Sequence, residues 1–396
     1  MNEFRAAYQT LSLVRIGVST LSQRLGSSSV VIIGIAAVVG VFVAMLGIGR
    51  GLERTLALTG TDDTAIILSR GAQSETSSSL TIESVALVSQ ASQVLANQDN
   101  RIIFSPEVVL GMPIKKKGTG LDTFIGLRGV GERAWDLWPQ VKLIAGRRFR
   151  SGLHELVVGT GAEKQFSGLK VGSTVRLDGQ SWAVVGTIDT GDAHNSEVWG
   201  DAAVVDTTYD RGNGPNSITV RLKSAALFGA FKAELEHDRR LKVDVQTTHQ
   251  YYSSQSEGYA RIIRFVGILI SAIMAVGAML GATNATYTAI ASRNCEIATL
   301  RAIGFRGFQV LISILSETML LAAMGGALGA AIAWALFDGF TTSTAGDSGQ
   351  LVFAFNISPD LLATGLECAL TIGLLGGLYP AIRAAHQPII AGLRDR

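Results

Sequence analysis

Four stretches of the chain are apolar and nearly free of charge over lengths that can cross a bilayer, which takes about 20 residues. They cover residues 30–49, 265–290, 308–337 and 361–382, and each of the last two carries a single charge, Glu317 and Glu367 respectively. The first begins too far into the chain, and is too long, to read as a cleavable signal peptide. Between the first and second lies mixed sequence. Residues 65–69 read as a strand, 81–95 as a helix and 102–112 as a strand; near the far end 217–222, 225–237 and 243–247 repeat that order. Two βαβ-like halves around a middle section predict a small α+β subdomain interrupted by an insertion. The insertion, about residues 113–205, is β-rich, with strands over 124–130, 155–159, 174–177 and 181–188, and Asp178-Gly179 marks a hairpin turn between the last two. Residues 4–25 place Phe4, Tyr8, Leu11, Val14, Val18 and Leu21 at helical spacing, which predicts an amphipathic helix lying on the membrane face. A helix packed against its own bundle is the alternative.

Basic residues set the orientation, since Lys and Arg favour the cytoplasmic side. Arg5, Arg15 and Arg24 precede the first span, Arg293, Arg301 and Arg306 lie between the second and third, and Arg383, Arg394 and Arg396 follow the fourth. Residues 338–360 contain no Lys or Arg. The chain therefore divides into a cytoplasmic amphipathic helix (1–29), transmembrane helix 1 (30–49), an extracytoplasmic domain (50–261), and transmembrane helix 2 with its stalk (262–290). A cytoplasmic segment (291–307), transmembrane helix 3 (308–337), an extracytoplasmic loop (338–360), transmembrane helix 4 (361–382) and a cytoplasmic tail (383–396) complete it. The expected fold class is an α-helical membrane protein with four transmembrane helices plus an α+β extracytoplasmic domain. Tyr251, Tyr252 and Tyr259, on the stalk, read as belt residues near the interface.

Composition agrees with embedding in a membrane. Charged residues make up 17% of the chain, against about 25% in globular domains, and mean hydropathy is +0.33. Net charge is +2, which argues against nucleic acid as a partner. The insert carries 24 Lys and Arg against 24 Asp and Glu, so it has no overall field to steer a charged ligand. Two cysteines, Cys295 and Cys368, are too few for a disulfide scaffold or a Cys-ligated zinc site. The P-loop pattern G-x-x-x-x-G-K-[ST] is absent, as is G-x-S-x-G. His154-Glu155 begins the zinc-protease pattern, but Val158 stands where the second His belongs. His194, near Asp192 and Glu197 in a Gly/Asp/Asn loop, reads as solvated rather than as a metal ligand. Lys115-Lys116-Lys117 reads as a solvated hairpin tip, with a docking surface as the alternative. No catalytic, cofactor or metal site is expected.

Ionisable groups inside a bilayer cost about 2.5–3.5 kcal/mol on insertion scales and face protein or water. Glu317 lies about 15 Å into its span at 1.5 Å per residue, where an interhelical hydrogen bond is expected. Glu367 lies nearer the outer surface, where interfacial placement is expected. Small residues at four-residue spacing predict helix packing or a dimer contact: Gly277, Gly281 and Ala285; Gly325, Gly329 and Ala333; Gly373 and Gly377.

The stretch Ser292-Arg-Asn-Cys-Glu296-Ile-Ala-Thr-Leu-Arg301-Ala-Ile-Gly304-Phe, followed by a span with Glu317, resembles the MacB/FtsX-like ABC transporter permeases. Their pattern there is R-x-x-E-I-x-x-L-R-A-I-G. Gly377-Leu-Tyr-Pro380-Ala-Ile-Arg383-Ala-Ala and Ile390-Ala-Gly-Leu-Arg394 are similar to the family's terminal signature. In the insert, Ala145-Gly-Arg-Arg-Phe149, Glu155-Leu-Val-Val-Gly159, Val171-Gly172 and Trp182-Ala-Val-Val-Gly186 are similar to the MacB periplasmic core domain. The chain departs from the pattern at Cys295 and Ala298-Thr299, where relatives carry other residues.

The resemblance implies a bacterial inner-membrane permease without catalytic activity, working with a cytoplasmic P-loop ATPase that holds the ATP and Mg. Arg293, Glu296, Arg301 and Gly304 would form the segment that couples to it; a plain charged connector is the alternative. A second permease copy, membrane lipid, a periplasmic adaptor and an outer-membrane duct are the further partners implied. ATPase closure would move the outer domain and drive export of an amphiphilic substrate such as an antibiotic, a peptide or a lipid. Two rival readings share the topology: a lipoprotein-releasing permease, and FtsX-like signalling to a cell-wall hydrolase.

Overall fold

The computed structural model describes residues 25–388, apart from residues 211 and 213. The amphipathic helix expected over 1–29 therefore lies outside the described residues up to residue 24, as does the tail from residue 389. Along the chain, α1 (Leu25–Thr59) is followed by β1 (Thr64–Ser69), α2 (Ile82–Val88), β2 (Phe104–Lys115) and β3 (Asp122–Val130). Next come α3 (Ala134–Leu137), β4 (Lys142–Gly146), β5 (Glu155–Gly159), α4 (Thr160–Gln165), β6 (Thr174–Leu177), β7 (Gln180–Asp189), β8 (Glu197–Asp201) and α5 (Ala202–Thr208). The order closes with β9 (Ser217–Arg221), α6 (Phe228–His237), β10 (Val243–Thr247), α7 (Thr248–Ala291), α8 (Asn294–Ala302), α9 (Gly307–Phe337), β11 (Thr341–Ala345), β12 (Gln350–Ala354) and α10 (Pro359–His386). These elements form two compact units. One comprises the described residues up to Arg50, Arg261–Phe340 and those from Phe355; the other is Gly51–Ala260 with Thr341–Ala354.

In the helical unit, α1, α7, α9 and α10 are the helices long and apolar enough to cross a membrane. Three of them pack on small residues. A Cβ on Gly325 would lie 2.8 Å from the carbonyl of Ile32, and one on Gly329 would fall on the backbone of Ala36, so α9 meets α1 backbone to backbone. Gly373 sits against Ala322 and Gly377 against Thr318, which brings α10 onto α9 in the same way. Gly277 and Gly281 differ: a Cβ at either would meet nothing within 4 Å. With 44 residues, α7 is about 66 Å long, over twice the ~30 Å hydrocarbon thickness.

The second unit is built on one sheet in the order β10-β1-β9-β2-β3-β8-β5-β7-β4, with β6 pairing β7. Its first four strands are antiparallel neighbours, and with α2 and α6 they make the split βαβ arrangement of a ferredoxin-like subdomain. Ala65, Ile67, Val88, Phe231, Leu235, Val243 and Val245 share its core. The insertion continues the same sheet through β3, where β3–β8 and β5–β7 run parallel. Trp182, Phe166, Leu127 and Leu156 fill its core. The β6–β7 turn is the expected one: Asp178 and Gly179 have φ of +44° and +83°, as a two-residue hairpin of the right twist requires.

Two expectations change. The helix expected over 81–95 stops at Val88, capped at its start by the Thr81 hydroxyl, because Val94 bridges to Leu222 and the Leu95 amide donates to the Arg221 carbonyl. Sheet pairing overrides helical spacing there. The loop expected over 338–360 holds the β11–β12 hairpin, which packs in the second unit.

Candidate coupling site

Three of the residues singled out in the sequence converge on one cavity. α8 fills most of the segment between α7 and α9, with Glu296 in its first turn and Arg301 in its last, each at the end where the helix dipole favours its sign. Arg293, just before it, reaches Glu317 on α9 with Nη1 3.4 Å from Oε2, both side chains mostly buried. Glu317 on α9 thus meets a charge of the 291–307 segment, at the junction of α7 and α8. A cavity of about 100 Å³ is lined by Arg293, Glu296 and Glu317 together with apolar side chains such as Ile290, Leu300 and Leu321. Glu296 is exposed and forms no ion pair with any described residue.

Arg301 is turned inward: its guanidinium donates to the carbonyl of Gln387, just past α10. Gly304 contributes backbone rather than contact. Its φ of +104° turns the chain from α8 into α9, with open space where a Cβ would stand. A Cβ on Gly307 would come within 2.6 Å of the Ala385 carbonyl, so the start of α9 and the end of α10 touch. Arg293 thus contacts α9, and Arg301 contacts the backbone just past α10. Glu367 is not part of this site. It is exposed, about 12 Å into α10 at 1.5 Å per residue.

In the second unit the sequence reading missed a buried charge cluster. Arg128 on β3 is 3% exposed and directs all five of its N–H groups at carboxylates. It forks onto Glu75 at 2.9 Å through Nη1 and Nη2, and onto Glu197 at 2.8 and 2.9 Å through Nε and Nη2. The remaining N–H meets Glu107 at 2.6 Å. Glu107 lies on β2 and Glu197 on β8, so the cluster joins the subdomain to its insertion. The β11–β12 tip packs beside it: Asp347 accepts from the Thr76 hydroxyl at 2.7 Å, and Ser348 occupies space that a Cβ on Gly111 or Gly126 would take. A lone charge in each of two apolar strands was the available signal.

His194 is not solvated. It is 2% exposed, its Nδ1 lies 3.2 Å from Asp192, its Nε2 lies 3.3 Å from the Tyr252 hydroxyl, and its ring packs on Trp138 and Trp199. Among the described residues no group of three His, Cys, Asp or Glu is placed to hold a metal. Tyr251 and Tyr252 are likewise buried rather than belt residues, and the Tyr251 hydroxyl accepts from the Glu75 amide. Lys115 is an exposed hairpin residue paired with Asp122.

Burial opposes protonation of His194, but the Asp192 and Glu197 carboxylates outweigh it and raise its pKa above 6.5. Its contribution to stability is full below the unfolded value of about 6.5 and is lost as pH rises through the folded one. Burial, with the Glu75 carboxylate adding to it, raises the pKa of Glu107 against the pull of Arg128, which places its contribution on the same side. For Glu197 burial is overcome by Arg128 and His194, so its pKa is lowered; its contribution holds above about pH 4.5 and is lost as pH falls through the folded value. Thermal unfolding of this unit, followed by tryptophan fluorescence, is expected to peak between about pH 4.5 and 6.5. A midpoint that climbs steadily from pH 6 to 8 would contradict this ion pairing.

Two family models match the chain: the MacB-like periplasmic core domain over residues 28–238 and the FtsX-like permease C-terminal domain over residues 268–389. The chain belongs to the MacB/FtsX-like permease family. It is similar to the macrolide export ATP-binding/permease protein MacB of Neisseria meningitidis serogroup A, 26% identical over 391 residues that take in 92% of this chain and 57% of that protein. MacB of Burkholderia pseudomallei is 24% identical over 413 residues, 99% of this chain and 60% of that protein. The MacB/FtsX-like chain thus spans less than two thirds of these relatives' length. Among solved structures, the periplasmic region of MacB from Actinobacillus actinomycetemcomitans covers 48% of this chain and 92% of its own at 16% identity and TM-score 0.37. The extracellular domain of the noncanonic ABC-type transporter YknZ from Gram-positive bacteria covers 46% of this chain and 100% of its own at 20% identity and TM-score 0.36.

Proposed function

We propose that this chain is the moving, non-catalytic permease of an ABC export system, driven through α8 by a cytoplasmic P-loop ATPase on a separate polypeptide. In this reading both termini are cytoplasmic, Gly51–Ala260 lies on the periplasmic side of a bacterial inner membrane, and two permease copies work with two ATPases. The substrate class is amphiphilic, and the outer unit acts on it with a periplasmic adaptor and outer-membrane duct. The observation that carries the proposal is the wiring of α8. Glu296 is left exposed for a partner, while Arg293 and Arg301 tie the same short helix to α9 and to the end of α10. A plain connector has no need of two internal ties, whereas a lever does. No observation favours lipoprotein release or hydrolase signalling over export.

Affinity purification from native membranes tests the reading. A P-loop ATPase is expected to co-purify in near-stoichiometric amount. Glu296→Lys should lower its recovery roughly ten-fold, the equivalent of about 1.4 kcal/mol, with the permease still folded. Recovery of no ATPase with the unaltered chain would overturn the function, and full recovery with the variant would overturn the docking residue.

A further inference from the structure

Where α7 ends and the last turns of α10 pass it, a second cavity opens, of about 210 Å³. That is far beyond the ~10–15 Å³ that a single water needs. Its lining includes Tyr287, Asn294, Arg383 and Gln387; among the described residues Arg383 is its one full charge and no acid lines it. Arg383 forms no ion pair or hydrogen bond with any described residue. Its guanidinium carbon instead stands 5.9 Å from the centre of the Tyr287 ring, inside the ~6 Å reach of a cation–π contact. Tyr287 in turn meets Tyr379 at 6.3 Å and 74°. Asn294 also lines the cavity, and its side-chain oxygen is buried without a hydrogen-bond partner among the described residues. Leu375, Leu378, Tyr379 and Ile382 are exposed along α10 up to Arg383. An apolar surface that would face lipid tails therefore ends at a cation, an aromatic pair and an unsatisfied acceptor.

We propose that this cavity binds the headgroup of a phospholipid, with the phosphate on Arg383 and a hydroxyl or ammonium of the headgroup donating to the Asn294 oxygen once that amide turns into the cavity. Arg383 is an exposed cation at the end of a spanning helix with no acid beside it among the described residues, and basic pockets between helices are the usual places for lipid phosphates. The orphaned acceptor calls for a donor, which phosphoglycerol and phosphoethanolamine headgroups carry and phosphocholine does not. Binding here would link the end of α7 to the end of α10. The proposal rests on the helices crossing a bilayer and is independent of any ATPase.

The test is a binding titration of the full chain, purified and delipidated in detergent, with short-chain phosphatidylglycerol, phosphatidylethanolamine and phosphatidylcholine, and with inorganic phosphate. Phosphatidylglycerol and phosphatidylethanolamine are expected to bind roughly ten-fold more tightly than phosphatidylcholine, as one net hydrogen bond provides. Arg383→Gln should weaken phosphatidylglycerol by about ten-fold or more, and Arg383→Lys by less. Asn294→Ala should remove the preference over phosphatidylcholine, a readout that leaves the cation in place if Arg383→Gln fails to fold. Unchanged affinity in Arg383→Gln, or equal binding of the three lipids by the unaltered chain, overturns the proposal. Displacement of lipid by an equal concentration of inorganic phosphate overturns it in favour of a free-anion site. No ATPase enters the assay, so failure here is distinct from failure of the coupling reading.

Discussion

Arg128→Ala is expected to unfold the second unit at temperatures where the unaltered chain is stable, at a cost of about 3–5 kcal/mol or more. The substitution leaves Glu75, Glu107 and Glu197 buried around an empty centre, and removing one partner of a buried ion cluster strands the others without solvent. Trp135, Trp138, Trp182 and Trp199 all lie in this unit, and Trp199 donates to Glu197 at 3.1 Å, so tryptophan fluorescence of the full chain reports the loss. The pH dependence carries a second sign. In the unaltered chain Glu197 is held low by Arg128, so its contribution disappears as pH falls. In the variant the orphaned carboxylates favour their protonated forms, their folded pKa values exceed the unfolded ones, and acid restores stability instead. A variant that loses less than about 1 kcal/mol, or that is rescued by alkali, would mean the cluster does not hold subdomain and insertion together. Arg128→Lys should fall between, because an ammonium cannot fork onto two carboxylates.

The same cluster shows why some of the architecture was legible and some was not. The spans were legible because lipid permits only long apolar helices, and the β5, β6, β9 and β10 segments because alternation and Gly-bearing turns are local. Asp178-Gly179 needed no tertiary information. What failed depended on partners distant in sequence. Val94 and Leu95 have helical spacing, yet the end of β9 claims them. His194 sits among polar neighbours that look solvated, and its burial comes from Trp138 and Tyr252, both remote in sequence, together with Trp199 from the next strand. Thr341–Ala345 is too polar to declare itself a strand, and pairs only because Gln350–Ala354 folds back on it. In the coupling site the charges Arg293, Glu296 and Glu317 were visible as residues. That Arg293 would reach Glu317, while Arg301 turned to the end of α10, depended on how the helices pack.

Helix packing gives the other large effect, and it separates two kinds of glycine. Gly329→Leu is expected to prevent the helical unit from assembling, at a cost of about 3 kcal/mol, the upper end for overpacking. The new side chain would fall on the Ala36 backbone, which cannot rotate away as a side-chain tip can. With Gly40 facing the Gly329 carbonyl at 3.5 Å from its would-be Cβ, α1 and α9 would have to separate along their whole crossing. Gly277→Leu with Gly281→Leu adds twice that bulk to α7 and should leave the stability of the single chain within about 0.5 kcal/mol, because both positions are open among the described residues. These glycines share their face with exposed Ile273, Val276 and Leu280, an apolar surface that the described residues leave uncovered. If a second permease copy covers it, size-exclusion chromatography with light scattering will show the double variant as a folded monomer where the unaltered chain is a dimer. A dimer that survives both substitutions would place the contact elsewhere. A folded, correctly sized Gly329→Leu would mean that the α1–α9 crossing is looser than its backbone contacts imply.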